Sequence, residues 1–97
     1  MIIDRKVFQA KYGKANELVS LLKRGGEAFK RLGYDPGRVL TDLSGAFFTV
    51  VWENEWESLA HWDEARQKMF ADPEFGRWFA EMETLVESGS REFYAVE

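Results

Sequence analysis

The order of elements written into the sequence predicts an α+β fold, a four-stranded antiparallel sheet with its helices on one face. Three observations carry this. A strand-like N-terminal run is followed by a long amphipathic helix, two β-rich runs are joined by Ser44-Gly45-Ala46, and a broken helical segment leads to a last strand.

Residues 2–11 interleave Ile2, Ile3, Val7, Phe8 and Ala10 with Asp4, Arg5, Lys6 and Gln9, which suits an extended strand better than a helix. Apolar groups fall on both faces, so both faces need covering. Gly13 ends this strand. Ala15, Leu18, Val19, Leu22, Phe29 and Leu32 then recur at three- and four-residue spacing, the stripe of an amphipathic helix. Gly33 is a suitable left-handed cap, and Asp35-Pro36-Gly37 fits a type II turn with Pro at its second and Gly at its third position. Inside the helix, Gly25-Gly26 costs about 2 kcal/mol of propensity relative to alanine, so close packing against the sheet or a kink is expected there.

Residues 38–43 and 47–52 read as an antiparallel hairpin. The acidic run Glu53-Asn54-Glu55-Trp56-Glu57 leads to Ser58, the expected N-cap of the next helix. Leu59, Trp62, Ala65, Met69 and Phe70 share one side of that helix. Arg66 falls inside this apolar arc, where it can pair with Asp63 one turn earlier or extend past the core edge. Asp72-Pro73-Glu74 is a strong second start signal, with Asp as cap and Pro in the first helical position. Phe75, Trp78, Phe79, Met82, Leu85 and Val86 form the stripe of this last helix, for the core or a dimer interface, with Arg77 and Glu81 spaced to pair. Ser88-Gly89-Ser90 is expected to end it, and residues 91–96 form the final strand.

The order β-α-β-β-α-β, its second helix split at Asp72-Pro73, is the pattern of ferredoxin-like folds, in one domain spanning residues 1–97. Helices cover one face of such a sheet. A chain of 97 residues has little core to spare, so the other face is expected to pair with a second copy. With 45% apolar and 31% charged residues the chain is too hydrophobic for disorder and too interrupted by charge for a membrane span. Seventeen acids against 13 bases, with no basic stripe, exclude a nucleic-acid surface. The absence of cysteine removes disulfides and thiolate chemistry, and the early charges of the N-terminus do not resemble a signal peptide. A cytoplasmic location is the expectation.

Asp4-Arg5-Lys6-Val7-Phe8, Lys11-Tyr12-Gly13-Lys14, Trp52-Glu53, Ser58-Leu59-Ala60, Ala65-Arg66 and Ala71-Asp72-Pro73-Glu74-Phe75 together resemble the NIPSNAP-like branch of the dimeric α/β-barrel superfamily. The match spans most of the chain and is strongest from Ser58 to Phe75. That family typically has Arg, Tyr and Pro where Lys6, Phe8 and Tyr12 stand here. The resemblance implies a homodimer joined through its sheet faces into a dimeric α/β barrel. It also points to the antibiotic-biosynthesis and haem-degrading monooxygenases. Of the strand Asn, the Trp and the axial His used by the haem-degrading members, the first falls on Lys6 and the last on Phe79, leaving only a helical Trp such as Trp62.

Two residues are candidates for catalysis. His61, the one histidine, has an ordinary pKa near neutrality and is the first choice of general base. On the flank of its helix, however, a partly exposed histidine more often has a structural role. Lys6, matched to the family's Arg, is the candidate cavity cation. Glu57, His61 and Glu64 share a helical side that could take a divalent cation, but acids at a helix start are favoured by the dipole without one. No metal or cofactor is expected. Ser58 is better used as a cap than as a nucleophile, and no phosphate loop is present.

Phe8, Gln9, Trp52, Trp56 and Trp62 are expected to line a ligand pocket, with Lys6 and the chemistry on the open sheet face opposite the helical lid. The function expected is binding or transforming a small, largely apolar molecule without a bound cofactor. The alternatives are a non-catalytic interaction homodimer and a cofactor-free monooxygenase of the antibiotic-biosynthesis type.

Overall fold

In the computed structural model, which describes residues 1–97, strand β1 (Ile2–Ala10) leads to helix α1 (Ala15–Arg31). Strands β2 (Arg38–Thr41) and β3 (Thr49–Trp56) follow, then helices α2 (Leu59–Phe70) and α3 (Pro73–Glu81). A 3₁₀ turn at Met82–Thr84 leads to strand β4 (Val86–Ala95). The sheet order is β2-β3-β1-β4, antiparallel throughout, the ferredoxin-like arrangement expected from the element order. No helix is long and apolar enough to cross a membrane.

The caps act as the sequence indicates. Ser58 Oγ accepts from the His61 amide, and Asp72 accepts from the Glu74 amide with Pro73 in the first turn. Gly33 and Gly37 take positive φ angles of 86° and 74°, ending α1 and completing the turn before β2. Asp35 fixes that turn to the sheet. Its carboxylate accepts from the Gly37 and Glu55 amides, and its carbonyl accepts from Asn54 Nδ2.

The hairpin strands end and start two residues short of the expected 43 and 47, and α3 stops at Glu81 rather than running on through Val86. Two further differences bear on the site. Strand β3 does not stop at residue 52 but continues to Trp56, so the acidic run is strand rather than helix approach. Its alternation explains this: Trp52, Asn54 and Trp56 are buried beneath the helices while Glu55 is exposed. Strand β4 begins at Val86, so Ser88-Gly89-Ser90 is strand, with Gly89 opposite Phe8 and so close to it that a Cβ would lie a tight 3.2 Å from the Phe8 ring. The expected Arg77–Glu81 pair is replaced by Arg24–Glu81, 2.5 Å, which ties α1 to α3.

Leu18, Leu21, Leu22 and Phe29 of α1 pack with Val50, Trp52 and Trp56 of β3 and Ala65 and Met69 of α2 to form the core. Gly25 is where α1 meets α3. The Trp78 indole lies across it and donates its Nε1–H to the Leu21 carbonyl at 2.8 Å, the close packing that the glycine pair requires.

Candidate functional site

Opposed residues of an antiparallel pair share a face, so the register sorts the sheet. Asp4, Lys6 and Phe8 stand beside Asn54, Trp52 and Val50 of β3 and beside Phe93, Arg91 and Gly89 of β4. This is the face beneath the helices. Between it and the α2–α3 corner lies a cavity of about 500 Å³. Phe8, Trp52, Trp56, Trp62, Met69 and Phe75 are among its predominantly hydrophobic lining, with Asp4, Lys6, Arg66, Glu83 and Arg91 as its charged groups.

The position of Lys6 corrects the sequence expectation. It does not face the open side of the sheet: even-numbered β1 residues point toward the helices, and Lys6 lies in this cavity. Its Nζ donates to Asn54 Oδ1 at 2.7 Å and to Asp4 Oδ2 at 3.0 Å, and sits 4.6 Å from the centre of the Trp52 ring. Asp4, 2% exposed, is held from its other oxygen by Arg91 Nε at 3.1 Å. Burial pushes the Lys6 amine below the ordinary lysine value of 10.5, against the pull of Asp4, which raises it. The group is thus a desolvated amine with an adjoining carboxylate, an arrangement able to exchange a proton with a bound molecule.

The other expected site residues separate. Phe8, Trp52, Trp56 and Trp62 line the cavity. Gln9 does not: its odd position turns it to the opposite face, where its Nε2 donates to Thr49 Oγ1 at 2.9 Å. His61 also lies outside the lining. Its ring packs edgewise on Trp56 and Tyr34, at 5.6 and 6.0 Å between centroids, and its buried Nδ1 has no partner in the protein. Lys6 and His61 are therefore not brought to one cavity wall.

The charged lining residues Asp4, Arg66, Glu83 and Arg91 lie outside the site expected from the sequence. Arg66 pairs with Asp63, as its position in the apolar arc allowed, through Nε at 3.2 Å and Nη2 at 2.6 Å to a single oxygen. Those hydrogen bonds hold the Asp63 carboxyl below its ordinary value. The sequence expectation puts Arg91 at the start of the last strand, whereas it lies in the middle of β4. Its register opposite Lys6 is visible only once β4 is extended back to Val86.

The open face carries Ile3, Arg5 and Val7 of β1, Leu40 of β2, Val51 and Glu53 of β3, and Tyr94 of β4. Glu53 is buried there between Arg5 Nε at 2.6 Å and Arg38 Nε at 2.9 Å. Burial alone would raise its carboxyl, but hydrogen bonds from Arg38 and Arg5 outweigh it and hold the group below 4.5.

No family model matches the sequence, and no curated protein matches it significantly. Solved structures do. A NIPSNAP domain protein from Burkholderia xenovorans is 19% identical, aligned over 100% of this chain and 95% of its own, with a TM-score of 0.83. A NIPSNAP family protein from Agrobacterium tumefaciens is 20% identical over 99% of this chain and 92% of its own, with a TM-score of 0.84. A protein proposed to be an antibiotic biosynthesis monooxygenase, from Deinococcus radiodurans, is 21% identical over 100% and 93%, with a TM-score of 0.72. At these identities the likeness is one of fold, and it agrees with the element order, the split second helix and the sheet topology. The chain has the ferredoxin-like fold of the NIPSNAP-like proteins.

Proposed function

We propose that this protein binds or transforms a small, largely apolar molecule in the cavity between its sheet and the α2–α3 corner, without a bound cofactor. The observation that supports this best is the cavity itself. About 500 Å³ of space with aromatic walls opens over a buried amine and carboxylate, the combination of apolar lining and a few fixed polar groups that suits a small-molecule site. Lys6, held against Asp4, is the group proposed to meet a polar atom of the ligand, and His61 takes no direct part.

The test is titration with N-phenyl-1-naphthylamine, a neutral aromatic whose fluorescence rises on leaving water. The expected result is saturable binding near one equivalent per chain. Met82→Trp, which fills part of the cavity, should weaken it roughly tenfold, about 1.4 kcal/mol. Absence of saturable binding, or indifference to Met82→Trp, overturns the assignment.

A cofactor-free monooxygenase is a narrower reading, favoured by the likeness to the Deinococcus protein and by a cavity bordered by four tryptophans. Oxygen uptake by the purified, metal-stripped protein with phenolic substrates tests it.

A second copy of the chain is proposed to cover the open face. Val7, Val51 and Leu40 form an apolar row across three strands there, on a domain that buries only 17 of its 97 residues. Sedimentation should give a dimer, and Val7→Glu with Val51→Glu should give a monomer. This dimer would also serve a protein without a ligand, and failure of the fluorescence titration with the dimer intact would favour that interaction role.

A further inference from the structure

The cavity is apolar along its walls, but its charges do not balance. Lys6, Arg66 and Arg91 outnumber Asp4 and Glu83, in a chain whose formal charge is -4. Two of these cations share one aromatic ring. The guanidinium carbons of Arg66 and Arg91 stand 5.5 and 5.0 Å from the centre of Trp62, one reaching from α2 and the other from β4.

Both retain donors. Arg91 uses only Nε, toward Asp4, and Arg66 uses Nε and Nη2 toward Asp63. Both Nη groups of Arg91 and Nη1 of Arg66 have no hydrogen-bond partner in the protein. Their side chains are 43% and 41% exposed, against 11% for Lys6, so the arginines stand at the mouth of the cavity and Lys6 at its floor. Lys6 is already engaged by Asp4, Asn54 and the Trp52 ring, which leaves the arginines as the cations free to take a new anion.

We propose that Arg66, one turn along α2 from Trp62, and Arg91, facing Trp62 from β4, form an anion clamp at the cavity mouth, and that the ligand is an apolar carboxylic acid. Its ring or chain lies among the aromatic side chains, its carboxylate meets the two guanidinium groups at the mouth, and any second polar atom at its far end meets Lys6 at the floor. Planar forks of this kind match a carboxylate better than an ammonium does. The inference rests on the reading of the cavity as a ligand site, and it adds the charge and the orientation of the ligand.

The experiment uses bound N-phenyl-1-naphthylamine as reporter and displaces it with 2-naphthoate or with 2-naphthylmethanol, which share a ring system and differ in charge. Naphthoate should displace the reporter at roughly tenfold lower concentration than the alcohol, as expected for a charge-assisted hydrogen bond. Arg66→Gln and Arg91→Gln should each bring that ratio toward one. Arg91→Gln removes a partner of the buried Asp4, so Arg66→Gln, whose partner Asp63 is half exposed, provides the variant with the fold undisturbed. Arg24→Gln, on the outer α1–α3 pair, should leave the ratio as it is. Equal displacement by the two compounds, or a ratio as sensitive to Arg24→Gln as to Arg66→Gln, overturns the clamp while saturable reporter binding leaves the cavity assignment standing. Failure of the reporter to bind overturns both.

Discussion

Lys6 Nζ lies 2.7 Å from Asn54 Oδ1, a hydrogen bond between the middle of β1 and the part of β3 that lies closest to the α1–β2 turn. Asn54 in turn donates to the Asp35 carbonyl at 2.8 Å, so the amine at the cavity floor is tied to the turn that ends the first helix-to-strand connection. Removing the amine therefore leaves two buried acceptors short of a donor. Lys6→Met should destabilise the protein by about 3 kcal/mol, the scale for breaking a buried ion pair from one side. Asp4→Asn combined with Lys6→Met should recover part of that loss, because the buried carboxylate left with Arg91 as its one cation is then gone. Urea unfolding of the wild type and of these two variants measures this, and a double variant no more stable than Lys6→Met would contradict the pairing.

The same amine has a sign for its pH dependence. Its folded-state value is depressed below 10.5, so between that lowered value and 10.5 the unfolded chain binds more protons than the folded one. Stability relative to Lys6→Met should rise with pH across that window. The contribution is complete above 10.5 and lost as pH falls through the folded value. NMR titration of the Lys6 ε-carbon gives the midpoint directly, and a midpoint at or above 10.5 would show that burial does not dominate.

Gly25 faces the Trp78 indole so closely that an added Cβ would sit 2.5 Å from Cζ2. The indole cannot simply withdraw, because its Nε1–H is bonded to the Leu21 carbonyl. Gly25→Ala gains about 1 kcal/mol of helix propensity but overpacks the α1–α3 contact, which costs about 1–3 kcal/mol. The expected outcome is a net loss of stability of roughly 1 kcal/mol together with weaker probe binding, since Trp78 also lines the cavity. A thermal shift upward in Gly25→Ala would mean that the indole moves freely.

How much of this was legible in the sequence divides along one physical line. Caps, turns and the order of elements depend on local signals, and Ser58, Asp72-Pro73, Gly33 and Gly37 behave as those signals indicate. The site depends on strand register, and there the local signals misled. The charges of residues 53–57 suggested a helix approach, although Trp52, Asn54 and Trp56 repeat at the two-residue period of a strand. Ending β3 early hid Asn54, the partner of Lys6. Treating Ser88-Gly89-Ser90 as a loop hid Arg91 in the same way, because a strand starting at residue 91 has no register to place it opposite Lys6. Gln9, a polar strand residue that fits a cavity or the opposite face equally well, takes the opposite face because its odd position turns it away from Lys6 and Phe8.

Glu53 supplies an acid-side counterpart on the open face of the sheet. Its carboxyl is held below 4.5 because the Arg38 and Arg5 hydrogen bonds outweigh the effect of burial, so at acid pH the unfolded state takes up a proton before the folded one. The stabilisation is complete above about 4.5 and is lost as pH falls through the lowered folded value. Glu53→Gln keeps the shape and removes the charge from both guanidinium contacts. It should cost about 2 kcal/mol at pH 7, the scale of a hydrogen bond to a charged group, and the gap from wild type should close as pH falls below 4.5. Denaturant midpoints measured at pH 7 and at pH 3 decide this. A gap that stays constant between them would mean that Arg5 and Arg38 are satisfied without the Glu53 charge, as they would be if a partner chain supplied another acid to the same face.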